Sequence, residues 1–308
     1  MIYLLLGVLF GTLLPIQTAI NSKLRSFVQS PLLSSMISFL VAELFLLVLT
    51  LVSGINPLIS VDFFLSHPKW IWLGGVCGVI GLTSIIFLFQ KLGSVQTVIL
   101  PLIGQIFMGL LIDQFGWFHS PQISVTLGKI AGVLLMIIGV VFVIILPNLK
   151  KNKLNTDKHA QLLWQIYGVV VGMLMSSQSA INAELGRNLA SSVHASLVSF
   201  TVGSILLLLL VGFKERGYGK IKLALGKGKP KWIWLGGFLG GSYLLGLVSL
   251  VPILGNSTVI LLTLLGQMLI SLVIDHFGLI GAKRNRILLV QILGSLLMIT
   301  GVVLTKMY

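Results

Sequence analysis

Pro68-Lys69-Trp70-Ile71-Trp72-Leu73-Gly74-Gly75 recurs unchanged as Pro230-Lys231-Trp232-Ile233-Trp234-Leu235-Gly236-Gly237, 162 residues later. Shorter matches keep the same order on either side. Gln17-Thr18-Ala19-Ile20-Asn21 returns as Gln178-Ser179-Ala180-Ile181-Asn182, and Ser38-Phe39 as Ser199-Phe200. Gly104-Gln105 matches Gly266-Gln267, and Ile112-Asp113-Gln114-Phe115-Gly116 matches Ile274-Asp275-His276-Phe277-Gly278. An eight-residue identity within a colinear series at offsets of 161 or 162 marks an internal duplication. The chain reads as a first copy (1–147), a cytoplasmic linker (148–163) and a second copy (164–308).

Both copies are too apolar for water. Of 308 residues, 56% are hydrophobic and 9% charged, with mean hydropathy +1.06. A soluble domain carries about 25% charge. Uncharged tracts such as 1–22, 92–112 and 188–213 reach the roughly 20 helical residues that cross a bilayer core about 30 Å thick. Cutting at charges and turn residues gives ten expected spans: 2–21, 32–53, 70–89, 94–113, 124–147, 164–182, 193–213, 232–251, 256–275 and 287–306. The uncharged tract 232–274 must fold back once, at Pro252 and Leu254-Gly255-Asn256-Ser257. The expected fold is therefore an all-α integral membrane protein of ten transmembrane helices.

Five spans per copy is an odd number, so the second copy enters the membrane from the opposite side. That makes an inverted-topology repeat, the architecture of many secondary transporters. Loops after odd-numbered spans hold 17 of the 21 Lys and Arg residues, the other side only Lys69, Lys129, Arg187 and Lys306. The positive-inside rule then places both termini outside a cell (inner or plasma) membrane, with the linker and the basic 214–231 loop in the cytoplasm. The net charge of +14 is explained by these loops, and no nucleic-acid partner is expected. Met1–Asn21 lacks a basic stretch before its apolar run, so it reads as a retained first span. A lone cysteine, Cys77, excludes an intramolecular disulfide, and the five histidines show no metal-ligand spacing. No cofactor and no enzymatic activity are expected.

The paired repeats, the Gln-x-Ala-Ile-Asn ends of spans one and six and the Gly-Gln…Ile-Asp-x-Phe-Gly pattern of spans four and nine resemble the drug/metabolite transporter superfamily, in its YdcZ-like branch. The resemblance covers nearly the whole chain. It implies a ten-helix exporter or permease whose central cavity is lined by the first, third and fourth helices of each copy. The small multidrug exporters of that superfamily use a glutamate in the first helix, and spans one and six here carry no acid within the membrane.

Intramembrane polar residues are the candidate site. Glu43 lies mid-span in the second helix, where a charge costs at least about 2.5–3.5 kcal/mol, and is read as a proton or cation coupling group. Its counterpart is Ser204, so no symmetric pair exists. Gln105 and Gln267, each behind a glycine, either meet at the midplane to bind a polar substrate or clasp neighbouring helices. Gln17 with Asn21, and Gln178 with Asn182, share a helical face at i,i+4 spacing and are assigned to the two vestibules of a cavity. Tyr243 is a candidate aromatic wall for cation–π contact. Asp113 and Asp275 end spans four and nine, where they oppose the helix dipole. They are read as structural, pairing with a base or capping a turn. The expected function is alternating-access transport of a small polar metabolite by a monomer or homodimer in the lipid bilayer. The alternative is a non-transporting membrane scaffold or accessory subunit.

Overall fold

The computed structural model describes residues 2–146, 158–215, 218–225, 228–281, 284 and 286–307. Most of the 148–163 linker falls outside the described residues, although 158–163 already belong to a helix. All regular structure among the described residues is helical. The first copy holds α1 (Ile2–Val28), α2 (Pro31–Val52), the short surface α3 (Val61–Ser66), α4 (Gly74–Phe115) and α5 (Leu127–Val140). The second holds α6 (Lys158–Asn188), α7 (Ser192–Glu215), α8 (Leu235–Leu254), α9 (Asn256–Phe277) and α10 (Leu289–Met307).

Seven stretches are long and apolar enough to cross a bilayer: Ile2–Val28, Pro31–Val52, Gln96–Phe115, Leu127–Ile145, Ser192–Lys214, Lys231–Leu254 and Asn256–Phe277. Gly74–Ile85 and Leu289–Thr305 are shorter apolar helices. The expected span 164–182 lies on α6, whose Ser176-Ser177-Gln178-Ser179 run and Asn182 dilute its hydropathy. Large apolar side chains such as Leu44, Val48, Leu51 and Phe213 face outward, as lipid-facing residues would.

Two expected spans, 70–89 and 94–113, share the single helical element α4, whose 42 residues would extend about 63 Å if straight. It does not run straight. A Cβ on Gly168 of α6 would lie 3.5 Å from the side chain of Leu88 and 3.0 Å from that of Leu100. Residues 12 apart on one straight helix sit about 18 Å from each other, so the path reverses between Leu88 and Leu100. Its two arms pack antiparallel along α6. The second copy makes the same reversal at Gly255, whose φ of +82° separates α8 from α9. A side chain there would strike Ile123 and Asp113.

The copies grip each other by exchange. Helix α1 packs on α8 and α9, and α6 packs on the two arms of α4. Gly11 meets the Thr263 backbone and Gly266 the Val8 backbone; in the equivalent interface Gly172 meets Pro101 and Gly104 meets Val169. Helices α2 and α7 lie side by side, with Phe39 and Phe200 in edge contact at 4.9 Å. Helices α5 and α10 pair through Gly132 with Gly301 and Gly139 with Gly294. Small residues at every seam let backbones approach where lipid supplies no hydrophobic drive.

Candidate functional site

The repeated glycines and the Gln-x-x-x-Asn stripes fit into one another. Asn21 Oδ1 sits 2.1 Å from where a Cβ on Gly236 would be, and Asn182 Oδ1 sits 1.8 Å from that position on Gly74. Each amide oxygen therefore lies over a glycine Hα, the arrangement of a weak Cα–H···O bond. One turn earlier, Gln17 Nε2 approaches Gly240 and Gln178 Nε2 approaches Gly78. Asn21 also donates to Ser38 Oγ at 3.0 Å. Asn182 is fully buried, and neither of its amide atoms has a conventional partner among the described residues. These four residues shape the contact of α1 with α8 and of α6 with α4, and none of them lines the described cavity. The i,i+4 spacing identified a shared face correctly, but that face packs on helix.

The cavity lies around the edge of α1 from that stripe. It has a volume of about 700 Å³ and is walled by α1 at Leu14, Pro15, Thr18, Ala19, Ser22, Lys23 and Ser26. The opposite wall is α9 at Gln267, Met268, Ser271, Ile274 and Asp275, with Val98 and Ile280 closing its sides. Gln267, Ser271 and Asp275 fall at i, i+4 and i+8, one polar stripe from mid-helix to the mouth. Of the expected site residues only Gln267 is here. Gln105 is at the other interface, donating its amide to Met175 Sδ at 3.8 Å, and no hydrogen bond joins the two glutamines. Tyr243 packs against the largest apolar core cluster. Glu43 is half-buried on α2, away from the cavity, and forms no ion pair among the described residues. Sequence reasoning passed over Thr18, Ser22, Lys23 and Ser271, and read Asp275 as structural. Extending the Gln267 stripe by one and two turns would have found Ser271 and joined Asp275 to it.

At the pseudo-equivalent position in the other interface the corresponding side chains are buried against one another. Asp113, the counterpart of Asp275, is completely buried. Its carboxylate accepts the backbone N–H of Asn256 at 2.7 Å and that of Ser257 at 3.0 Å. It also accepts the Ser257 hydroxyl and pairs with Lys129 Nζ at 3.4 Å. Asp113 thus caps the N-terminus of α9, where the helix dipole favours an anion. The paired-and-capping reading holds for Asp113, with the cap on α9 in the other copy; Asp275, read the same way, has no ion pair among the described residues and stands in the cavity wall. Asn256 in turn donates to Ser176 Oγ at 2.9 Å and accepts from Ser179. At the rim Glu184 pairs with Arg187 and with His119 Nδ1 at 2.8 Å, and Arg187 donates to the Phe118 carbonyl at 3.2 Å.

Every wall of the cavity has a counterpart in this sealed cluster. Pro15 corresponds to Ser176, Thr18 to Ser179, Lys23 to Glu184, Ser26 to Arg187, Gln267 to Gln105 and Ile280 to Phe118. The turns themselves match: φ is 64° at Gly116 and 66° at Gly278, and 56° at both Phe118 and Ile280. One end of the molecule is closed and its equivalent is open.

A family model described as "Putative inner membrane exporter, YdcZ" matches the chain twice, over residues 2–142 and 163–304. No curated protein matches significantly. One solved crystal structure superposes with a TM-score of 0.70 over 99% of this chain and 96% of its own, at 12% identity, a likeness of fold alone.

Proposed function

The chain belongs to the YdcZ family of inner membrane exporters, and from that premise we propose a secondary transporter that moves a small polar metabolite by alternating access. The observation that carries the reading is the pairing of one sealed end with one open, water-accessible cavity at equivalent positions. In a duplicated protein, exchanging the two arrangements turns the cavity from one side to the other without new chemistry.

On this proposal each copy supplies five spans and the second is inserted in the opposite sense. The exchanged packing of α1 and α6 supports that topology. The cavity mouth, at Lys23 and Ser26, then belongs to the side bearing most of the Lys and Arg residues, so the described state faces the cytoplasm with both termini outside. Gln267, Ser271 and Asp275 form the substrate wall. Gln17, Asn21, Gln178 and Asn182 act as the bearing surfaces on which helices meet.

The test is counterflow in liposomes reconstituted with the purified protein, using amines, amino acids, sugars, nucleosides and organic acids in turn. Saturable exchange is expected for at least one class, and Gln267→Leu should lower it by about tenfold or more while thermal stability is kept. Absence of exchange for every class, with the protein folded, would reject the transporter reading and favour an accessory subunit.

A further inference from the structure

We propose that the cavity takes an organic ammonium ion, with Asp275 as its counter-ion; this names the substrate class of the transport reading above and rests on it. The two equivalent carboxylates differ in one respect that decides charge. Asp113 has its cation in Lys129. The residue equivalent to Lys129 is Gln291, which is neutral and already engaged, donating to the Val143 carbonyl at 3.2 Å and accepting from Leu288 N–H at 3.0 Å. Asp275 has no ion-pair partner among the described residues and stands in the cavity wall.

The rest of the wall offers acceptors. Thr18 gives its hydroxyl proton to the Leu14 carbonyl at 2.8 Å, Ser26 to Lys23 at 2.7 Å and Ser271 to Gln267 at 2.7 Å. Each hydroxyl is left with oxygen lone pairs for a ligand. An ammonium group has three donors and no acceptor, the complement of a carboxylate flanked by such oxygens. Lys23, the one basic residue of the cavity wall among the described residues, is exposed at the rim and lies 5.6 Å from the Phe27 ring. Leu14, Pro15, Met268 and Ile274 would cover an apolar body. At the sealed end the same carboxylate position is filled by backbone N–H groups and a lysine. The ammonium would therefore stand in at Asp275 for the charge that Gln291, in the place of Lys129, does not supply.

The experiment measures ligand-induced thermal shifts of the purified full-length protein with matched alkyl and arylalkyl amines, alcohols and carboxylates at neutral pH. Amines should stabilise it and the isosteric alcohols and carboxylates should not. Asp275→Asn should weaken amine binding by about tenfold or more. Gln291→Lys, which copies the Asp113–Lys129 arrangement, should weaken it similarly while raising basal stability. Equal shifts from amine and alcohol, undiminished amine binding in both variants, or no amine binding would overturn the assignment. Amine binding without counterflow would sink the transporter reading and leave the site standing. Exchange of a neutral or anionic metabolite that survives in Asp275→Asn would do the reverse.

Discussion

At one end of the bundle Asp113 is held by two backbone N–H groups, a hydroxyl and a lysine, and Glu184 ties down Arg187 and His119. At the other, Asp275 and Lys23 face each other's walls across open space. Both ends carry the same Ile-Asp-x-Phe-Gly turn with the same backbone angles. What differs is the charge inventory around them. Closing the Lys23 end in the manner of its equivalent would bring together Asp275 and Lys23, without counterparts for the cations Lys129 and Arg187 or for the His119 ring: those positions are Gln291, Ser26 and Gly281. On the transport proposal the two ends are its two gates, and divergence at a few side chains makes one of them easier to shut. The proposed equilibrium would then be tilted by sequence, and a ligand would shift it by preferring the rarer arrangement.

The largest effect expected from this asymmetry is on stability. Asp113→Ala removes the partner of a buried lysine and uncaps α9, and should cost about 3–5 kcal/mol. Asp275→Ala removes an exposed carboxylate without an ion-pair partner among the described residues and should cost about 0.5 kcal/mol or less. Thermal unfolding in detergent reads the difference; similar losses for the two would break the asymmetry outright.

Accessibility tests the same point without unfolding the protein. In a Cys77→Ser background, Ser22→Cys places a thiol in the cavity wall, and Ala183→Cys places one at the equivalent buried position. A membrane-impermeant maleimide should label the first on the order of 100-fold faster, because the second needs a local opening. Adding Lys129→Gln, which gives the sealed end the residue of the open one, should narrow the ratio. Equal labelling rates in the parent pair would mean that both ends breathe alike.

The glycine seams should behave oppositely, with the two copies equivalent. Gly74→Ala drives a methyl into Asn182 and Gly236→Ala drives one into Asn21, and each should cost about 1–3 kcal/mol. Gly219→Ala, where nothing lies within 4 Å, serves as the neutral control. A large difference between the first two would show that the asymmetry reaches the bundle centre.

The duplication, its offsets and the helical class were legible because they depend on residue identity and local apolarity. The pairing Asn21–Gly236 and Asn182–Gly74 was within reach too, since both motifs repeat as sets, but a periodic stripe says only that residues share a face. Which face meets a helix and which meets water is decided by tertiary packing. The two aspartates were harder still. Nothing within Ile-Asp-x-Phe-Gly distinguishes a buried cap from a carboxylate in a cavity wall; the distinguishing residues, Lys129 and Gln291, lie on other helices. The reversal inside α4 was placed, but the unbroken helical path was not, because no proline or extended polar loop marks it.

The smallest expected effect concerns why the Lys23 end stays apart. At the sealed end the position equivalent to Ser271 is Gly109, and a Cβ there would lie 3.1 Å from both the Ser257 Cα and the Ile260 side chain. Absence of a side chain is what lets the second arm of α4 settle onto α9. Ser271 puts a hydroxymethyl group in the corresponding place, so α9 and its neighbours cannot approach as closely. Ser271→Gly should ease closure and slow labelling of Ser22→Cys by about two- to fivefold, the equivalent of about 0.5–1 kcal/mol. Its helix-propensity cost of up to about 1 kcal/mol falls on stability and is read separately by unfolding. Unchanged labelling would mean that charge alone, through Lys129 and Gln291, holds the two ends apart in behaviour.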